Sequence, residues 1–427
     1  MALASGSPQF SHIDTGGRSL RMPFVIVTSL FLLWGLAYGL LDVLNKHFQE
    51  ALHVGKAESA WLQVAYFGAY FVVSWPAGQI MTKLGYKRGI LIGLGLYALG
   101  AFLFIPAAWM RSFPFFVGSL FVLASGLTCI ETAANPYVTV LGPPETSERR
   151  LNLAQTFNGV GSFIAPLLGA MLFFNIAEGP QAGLGGVQIV YAGIGILVLV
   201  IAVIVSRMWL PEIHEADTLV HDDEPATSLL HQRHFTIGVF TQWVNIAGQV
   251  AIGAFFINLV VENWQGFTSA DAAYLLSVGM ALFLLGRIVA TSLMGRFSPR
   301  SILTFYGCAN VVLTLIVTAD IPKVSSVALT ATFFFASATF PTIFSLGVKG
   351  LGAQTKRAGA AMVAAVSGGA ILPPIMGMTA ERWGVAPSYL LVTLCYAMVA
   401  LYGWKYSKPL PPKVKGRMSA MALASET

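Results

Sequence analysis

The sequence predicts an all-α membrane protein of twelve transmembrane helices, arranged as two pseudo-symmetric six-helix bundles. Composition is the first sign: 56% of the 427 residues are hydrophobic and 10% are charged, against roughly 25% charged in a soluble domain. The second is spacing. A hydrocarbon core of about 30 Å needs roughly 20 helical residues. Apolar runs of that order recur at 23–45, 60–81, 89–110, 115–141, 151–175, 187–208, 236–261, 270–294, 301–319, 325–348, 358–380 and 387–407. The third is an internal repeat. Residues 61–87 align without gaps on 274–300, pairing Ile80, Lys83 and Lys87 with Leu293, Arg296 and Arg300. PYVTVLG at 136–142 matches PTIFSLG at 341–347, and APLLG at 165–169 matches PPIMG at 373–377.

These signals divide the chain into a tail at 1–22, a bundle at 23–208, a linker at 209–235, a second bundle at 236–407 and a tail at 408–427. The linker holds PEIHEAD and HDDEP, the longest polar stretch between spans. The first apolar run is longer than a signal-peptide core and has no small-residue cleavage site after it, so it reads as an uncleaved first span. With the N-terminus inside, 19 of the 25 Lys and Arg residues fall on the inner side. This asymmetry places both termini in the cytoplasm of a multi-pass protein of the cell membrane. It also accounts for the net charge of +6 without a nucleic-acid partner. Cys129, Cys308 and Cys395 sit far apart in apolar runs and read as small packing residues. No HExxH or CxxC occurs, so neither a metal site nor a cofactor is expected.

Against this apolar background two acids stand out: Asp42 in the first span and Glu131 in the fourth. A charge in hydrocarbon costs at least about 2.5–3.5 kcal/mol, so such groups usually line a polar cavity. Asp42 reads either as an acid wetted at a helix end or as a proton acceptor in an outer cavity. Glu131 lies deeper. It reads either as a structural acid or as a group whose protonation changes the hydrogen bonds it offers a ligand. Arg287, inside the eighth span, is either a snorkelling or structural cation or a counter-charge to these acids. Asn135, Gln155 and Asn158 supply amides in the first half. Asn245 and Gln249, four apart, supply them on one face of the seventh span. Tyr38, Trp34, Tyr66, Phe67 and Phe344 are aromatic candidates for a sugar face. The SGG segment at 367–369 interrupts a span and reads as a close-packing site.

The segment GQIMTKLGYKR at 78–88 resembles the cytoplasmic loop signature of the major facilitator superfamily. Gly78 and Gly85 would allow tight approach, and Lys83, Lys87 and Arg88 would latch the inner side. Thr82 stands where that signature carries an acid. FLLWG at 31–35, Asp42, ETAANP at 131–136, LNLAQTFN at 151–158, PTIFSLG at 341–347 and Thr355–Lys356 resemble the fucose–galactose–glucose:proton symporter family, its L-fucose branch in particular. The resemblance implies a major facilitator fold, proton transfer at Asp42 and coupling at Glu131. It also implies that Gln155, Asn158 and Gln249 face the sugar. Tyr38 joins these residues as a candidate sugar contact. The expected function is therefore import of a neutral hexose or deoxyhexose with a proton, by alternating access and as a monomer in the lipid bilayer. A passive sugar uniporter, an exporter of amphipathic compounds and a non-transporting membrane sugar sensor are the rivals. An enzyme is disfavoured, because no nucleophile–base pair is present.

Overall fold

The computed structural model describes residues 21–141, 147–174, 184–210, 229, 231–349, 351 and 355–408. The tails and linker expected at 1–22, 209–235 and 408–427 lie largely outside the described residues. The first half runs α1 (Arg21–Leu52), α2 (Trp61–Leu84), α3 (Tyr86–Trp109), α4 (Phe113–Val140), α5 (Ser147–Gly169) and α6 (Gly185–Arg207). A π turn, Ala170–Phe174, extends α5. The second half runs α7 (Arg233–Asn263), α8 (Ser269–Leu293) and α9 (Pro299–Thr318). Then come α10 (Val324–Ala336 and Thr339–Val348), α11 (Thr355–Ala364 and Leu372–Trp383) and α12 (Val385–Ser388 and Leu390–Leu401). Among the described residues, eleven segments are long and apolar enough to cross a membrane. The twelfth expected span is α2, a 24-residue helix that also carries Gln63, Ser74, Pro76, Gln79 and Lys83.

Two expectations about the helices need correction. The first span does not end near residue 45: α1 continues to Leu52 and is 32 residues long, about 48 Å at 1.5 Å per residue. Asn45, His47 and Gln49, at and beyond the expected end, stay helical because they pack inside the protein. The tenth span is broken at residues 337–338. Pro341 has no N–H to give the Ser337 carbonyl four residues earlier, so the helical ladder fails there. In α11 a 3-10 segment, Ala365–Ala370, precedes Pro373 and Pro374 for the same reason. The expected close packing at 367–369 is present: a Cβ on Gly368 would stand 2.0 Å from the Trp243 carbonyl oxygen.

The repeat has a structural counterpart at the helix ends. Lys87 donates to the carbonyls of Ser206, at 3.0 Å, and Met208, at 2.6 Å, at the end of α6. Its repeat partner Arg300 donates to Ser407 Oγ, at 2.7 Å, and the Trp404 carbonyl, at 2.8 Å, beyond α12. Each cation thus serves the orphan carbonyls that close the last helix of its own half. Gly85 joins α2 to α3 with φ +83°, a conformation that favours glycine. Lys83 and Arg88 are exposed, while Gly78 is half-buried. Cys129 and Cys395 are buried as expected, but Cys308 is exposed on α9 and packs against no core.

The halves meet tightly at the end that carries the α1–α2 connection. Lys56 pairs with Glu262 at 2.6 Å, and Glu381 accepts the Ala57 N–H at 2.9 Å. Asn258 donates to Gln49 at 2.6 Å, and Ser269 donates to Glu50 at 2.5 Å. Towards the opposite end α2 is broadly exposed: Phe71, Val72, Ser74, Trp75 and Pro76 are exposed, with Val73 half-buried among them and Ala77 buried. A lipid-facing helix exposes one face. Five exposed positions among the six at 71–76 cover more than half of the helix circumference, so part of the side turned away from lipid is open as well. One end of the bundle is sealed and the other is a crevice.

Candidate functional site

The site is built where α1, α2, α4 and α5 of the first half meet α7 and α11 of the second. Small residues bring α1 and α5 together. A Cβ on Gly35 would stand 1.9 Å from the Asn158 carbonyl oxygen, so the crossing requires glycine there. Ser162 donates to the Gly35 carbonyl at 3.2 Å, and Asn158 Nδ2 donates to that of Phe31 at 3.4 Å. Asn158, expected to face the sugar, therefore also holds α1 in place. Gln155, one turn away on α5, is half-buried.

This packing fixes one face of α1, along which Trp34, Tyr38, Asp42, Asn45 and Gln49 follow at helical spacing. Asp42 is 1% exposed, and its Oδ2 has no hydrogen-bond partner. It presses on α7: a Cβ on Gly253 would lie 2.3 Å from Oδ2. Asp42 is therefore not a wetted acid at a helix end; it is a buried contact between the halves. Above it Asn45 donates to Gln63 at 3.1 Å and accepts from Ser59 at 2.8 Å. Gln49 bridges on to Asn258.

Below Asp42 the Tyr38 ring lies 6.5 Å from those of Tyr66 and Phe67. Tyr66 stacks on Tyr70 at 5.5 Å. Glu131 sits beside Tyr70 and Asn135 and shares a cleft with Phe31, Trp34, Ile130 and Ala134. Glu131 Oε2, Asn135 Oδ1 and the hydroxyls of Tyr66 and Tyr70 are buried without partners. Across the interface Asn245 is fully buried with neither amide atom paired, Tyr396 keeps an unpaired hydroxyl, and Gln249 is half-buried. Phe67 of α2 and Val250 of α7 both close on Gly369 of α11, each reaching 2.9 Å from where its Cβ would be.

An unpaired buried polar group costs about 1–3 kcal/mol, and native structures hold few of them. Their concentration on both sides of one interface leaves several donors and acceptors there free to hydrogen-bond a ligand. Sequence reasoning found Tyr38, Asp42, Glu131, Asn135 and Asn245 here. It missed Tyr70, whose signal was its position one turn after Tyr66, and it missed Gly253, Gln49 and Asn258. Arg287 lies elsewhere. Its Nε donates to the Ser337 carbonyl at 3.3 Å, and its guanidinium stands 5.0 Å over the Phe283 ring. It forms no ion pair with Asp42 or Glu131; the ion pairs among the described residues are Lys46–Glu50 and Lys56–Glu262. Among the described residues no cluster of His, Cys, Asp and Glu could hold a metal ion.

Comparison with known proteins agrees with this architecture. Residues 24–372 match the Major Facilitator Superfamily. A glucose/galactose transporter of Brucella abortus biovar 1 (strain 9-941) is 35% identical over 401 residues, covering 93% of this chain and 97% of the relative. The L-fucose-proton symporter of Escherichia coli (strain K12) is 36% identical over 415 residues, covering 91% and 94%. The crystal structure of an E. coli fucose:proton symporter superposes with a TM-score of 0.67 at 36% identity, covering 90% of this chain and 98% of that one. A D-xylose-proton symporter at 14% identity, with a TM-score of 0.71, covering 92% and 100%, shares the fold. With most of its length matched by the family and by these relatives, the chain belongs to the major facilitator superfamily and is a multi-pass membrane transporter rather than an enzyme.

Proposed function

We propose that the protein imports a neutral hexose or deoxyhexose, L-fucose-like, together with a proton by alternating access. Asp42 and Glu131 carry the proton, and Tyr38, Asn135, Gln155, Asn158, Asn245 and Gln249 meet the sugar. The reading rests on one observation above all: the unpartnered carboxyl, hydroxyl and amide groups that line both sides of the interface between halves. The names of the relatives, glucose/galactose transporter and L-fucose-proton symporter, support the substrate class. With both termini cytoplasmic, the sealed end is extracellular and the crevice opens inward.

The same geometry supports a coupling step. Sealing the outer end buries Asp42 against Gly253. An unpaired charge left there would cost several kcal/mol, so the outer end closes on the neutral acid. Glu131, nearer the crevice, changes its donor count when protonated and thereby alters how it holds a sugar hydroxyl. The bias comes from the different affinities of the two facings for sugar and proton. One carrier unit is a single chain, because both walls of the site come from one sequence.

The deciding experiment is uptake of L-fucose, D-galactose, D-glucose, N-acetylglucosamine and D-arabinose at two external pH values. We expect a hexose or deoxyhexose to accumulate, electrogenically and faster in acid. Uptake indifferent to pH and to an uncoupler would reduce the protein to a passive uniporter. Binding without flux would make it a sensor.

A further inference from the structure

We propose that the hydroxyls of Tyr38, Tyr66 and Tyr70 form a proton relay from Asp42 to Glu131, completed by a hydroxyl-bearing ligand. The inference rests on the reading of these acids as the proton carriers. Glu131 shares its cleft with Trp34. Asp42 lies eight residues further along α1, about 12 Å at 1.5 Å per residue. A proton passes between heavy atoms at hydrogen-bond distance, about 2.6–3.2 Å, so the acids cannot exchange directly. Above Asp42 the Gln49–Asn258 and Asn45–Gln63 pairs close the route to the sealed end.

Three phenols span the gap. Tyr38 is one turn from Asp42 on α1, its ring is 6.5 Å from that of Tyr66, and Tyr66 stacks on Tyr70. Tyr70 stands beside Glu131. The hydroxyls of Tyr66 and Tyr70, Asp42 Oδ2 and Glu131 Oε2 are all buried and unpartnered. A phenol both donates and accepts, which a relay requires of every member. The transfer is a concerted hand-off. The Asp42 proton bonds to Tyr38 Oη, which releases its own to a bridging ligand hydroxyl; the ligand oxygen in turn gives its proton to Tyr66 Oη. That oxygen releases its proton to Tyr70 Oη, which passes its own to Glu131 Oε2. Asp42 ends as a carboxylate, Glu131 as an acid, and each phenol regains one proton. In this structure the chain is interrupted at its Asp42 end: Asp42 Oδ2 has no partner, and the Tyr38 and Tyr66 rings stand 6.5 Å apart. A ligand hydroxyl supplies the missing donor and acceptor, so protons move when sugar is bound and do not leak without it.

The test uses the full-length protein in liposomes holding a pH-sensitive dye, with radiolabelled L-fucose, D-galactose and D-glucose as probes. Tyr66→Phe and Tyr70→Phe keep the rings and remove one oxygen each. The number of protons moved per sugar is expected to fall at least about tenfold in each, in line with the weight of a positioned acid–base group. An unaltered ratio in both variants overturns the relay. Glu131→Gln in the same liposomes separates the two ideas. Coupling lost there but kept in both tyrosine variants removes the relay alone. Coupling kept in Glu131→Gln removes the proton-carrier reading, and the relay with it. Should one phenylalanine variant fail to fold by size-exclusion chromatography, the other decides the matter.

Discussion

The two halves share a plan and differ in chemistry. Glu131 and Asn135 on α4 correspond, through the match of 136–142 with 341–347, to Ala336 and Phe340 on α10. Asp42 also belongs to the first half. The second half contributes amides to the interface, Asn245 and Gln249, and no acid as deep. Position 74 shows the reverse. Ser74 of α2 turns back to donate to the Tyr70 carbonyl of its own helix. Its repeat partner, Arg287, reaches out to the Ser337 carbonyl that Pro341 leaves free. The first half keeps α4 unbroken, whereas the second breaks α10 and α11. Duplication gave both halves the same spans. Divergence put the buried acids in the first half, and an uncharged wall with jointed helices in the second.

Removing the acids attacks that division most directly. Glu131→Gln keeps the shape and the hydrogen-bonding atoms but cannot ionise. We expect uphill accumulation to vanish while exchange of sugar across the membrane persists, measured by counterflow. Asp42→Asn should behave alike. Unchanged accumulation in either variant would take that acid out of the first half's role. If Asn245→Ala instead abolished coupling and spared exchange, the division itself would be wrong.

Gly253 tests whether the halves communicate through Asp42. Its replacement by Ala would put a methyl within 2.3 Å of Asp42 Oδ2, so the Asp42 carboxyl must turn away or α1 and α7 must part. The sealed state should lose about 1–3 kcal/mol, the usual range for overpacking, and the outer end should open more often. Spin labels at the outer ends of α1 and α7 would report longer distances. Distances equal to those of the unaltered protein would mean that the contact yields without effect.

The fold was legible in the sequence because hydropathy and the repeat are local or periodic signals. Asp42 and Glu131 stood out because charge is rare in an apolar run. What stayed hidden depends on pairing across the interface. The first span was expected to stop at residue 45, because nothing in that segment shows Gln63, Ser59 or Asn258 waiting to pair with Asn45 and Gln49. Gly253 sits in an apolar stretch where one more glycine carries no signal until Asp42 is placed against it. Cys308 lay in the same kind of apolar run as Cys129, and only the orientation of α9 turns it outward.

Arg287 sharpens the comparison on the side of the second half. If it serves the broken α10, Arg287→Gln should cost about 1.5–3 kcal/mol, the weight of a hydrogen bond to a charged group. The loss would be seen as a lower melting temperature. Arg287→Lys should recover part of it, and the acid stimulation of uptake should be unchanged. A shifted pH profile with normal stability would instead make Arg287 the counter-charge of the acids, and the second half would then share in the proton chemistry.

The smallest effect is expected where the halves touch in water. Lys56 and Glu262 form a 2.6 Å pair whose side chains are 25% and 44% exposed, a setting in which an ion pair is worth about 0–1 kcal/mol. Lys56→Ala should therefore open the outer end by no more than about fivefold, an effect that disappears at high salt. A double-mutant cycle with Glu262→Gln, read by the same spin labels, isolates the pair from the neighbouring Glu381 contact. The reason to expect little is that the seal already rests on the buried fit of Asp42 to Gly253 and on the Gln49–Asn258 bridge, neither of which salt can screen. An effect of Lys56→Ala larger than that of Gly253→Ala would reverse this order, and would mean that the outer end is held by its rim rather than by the packing of α1 on α7.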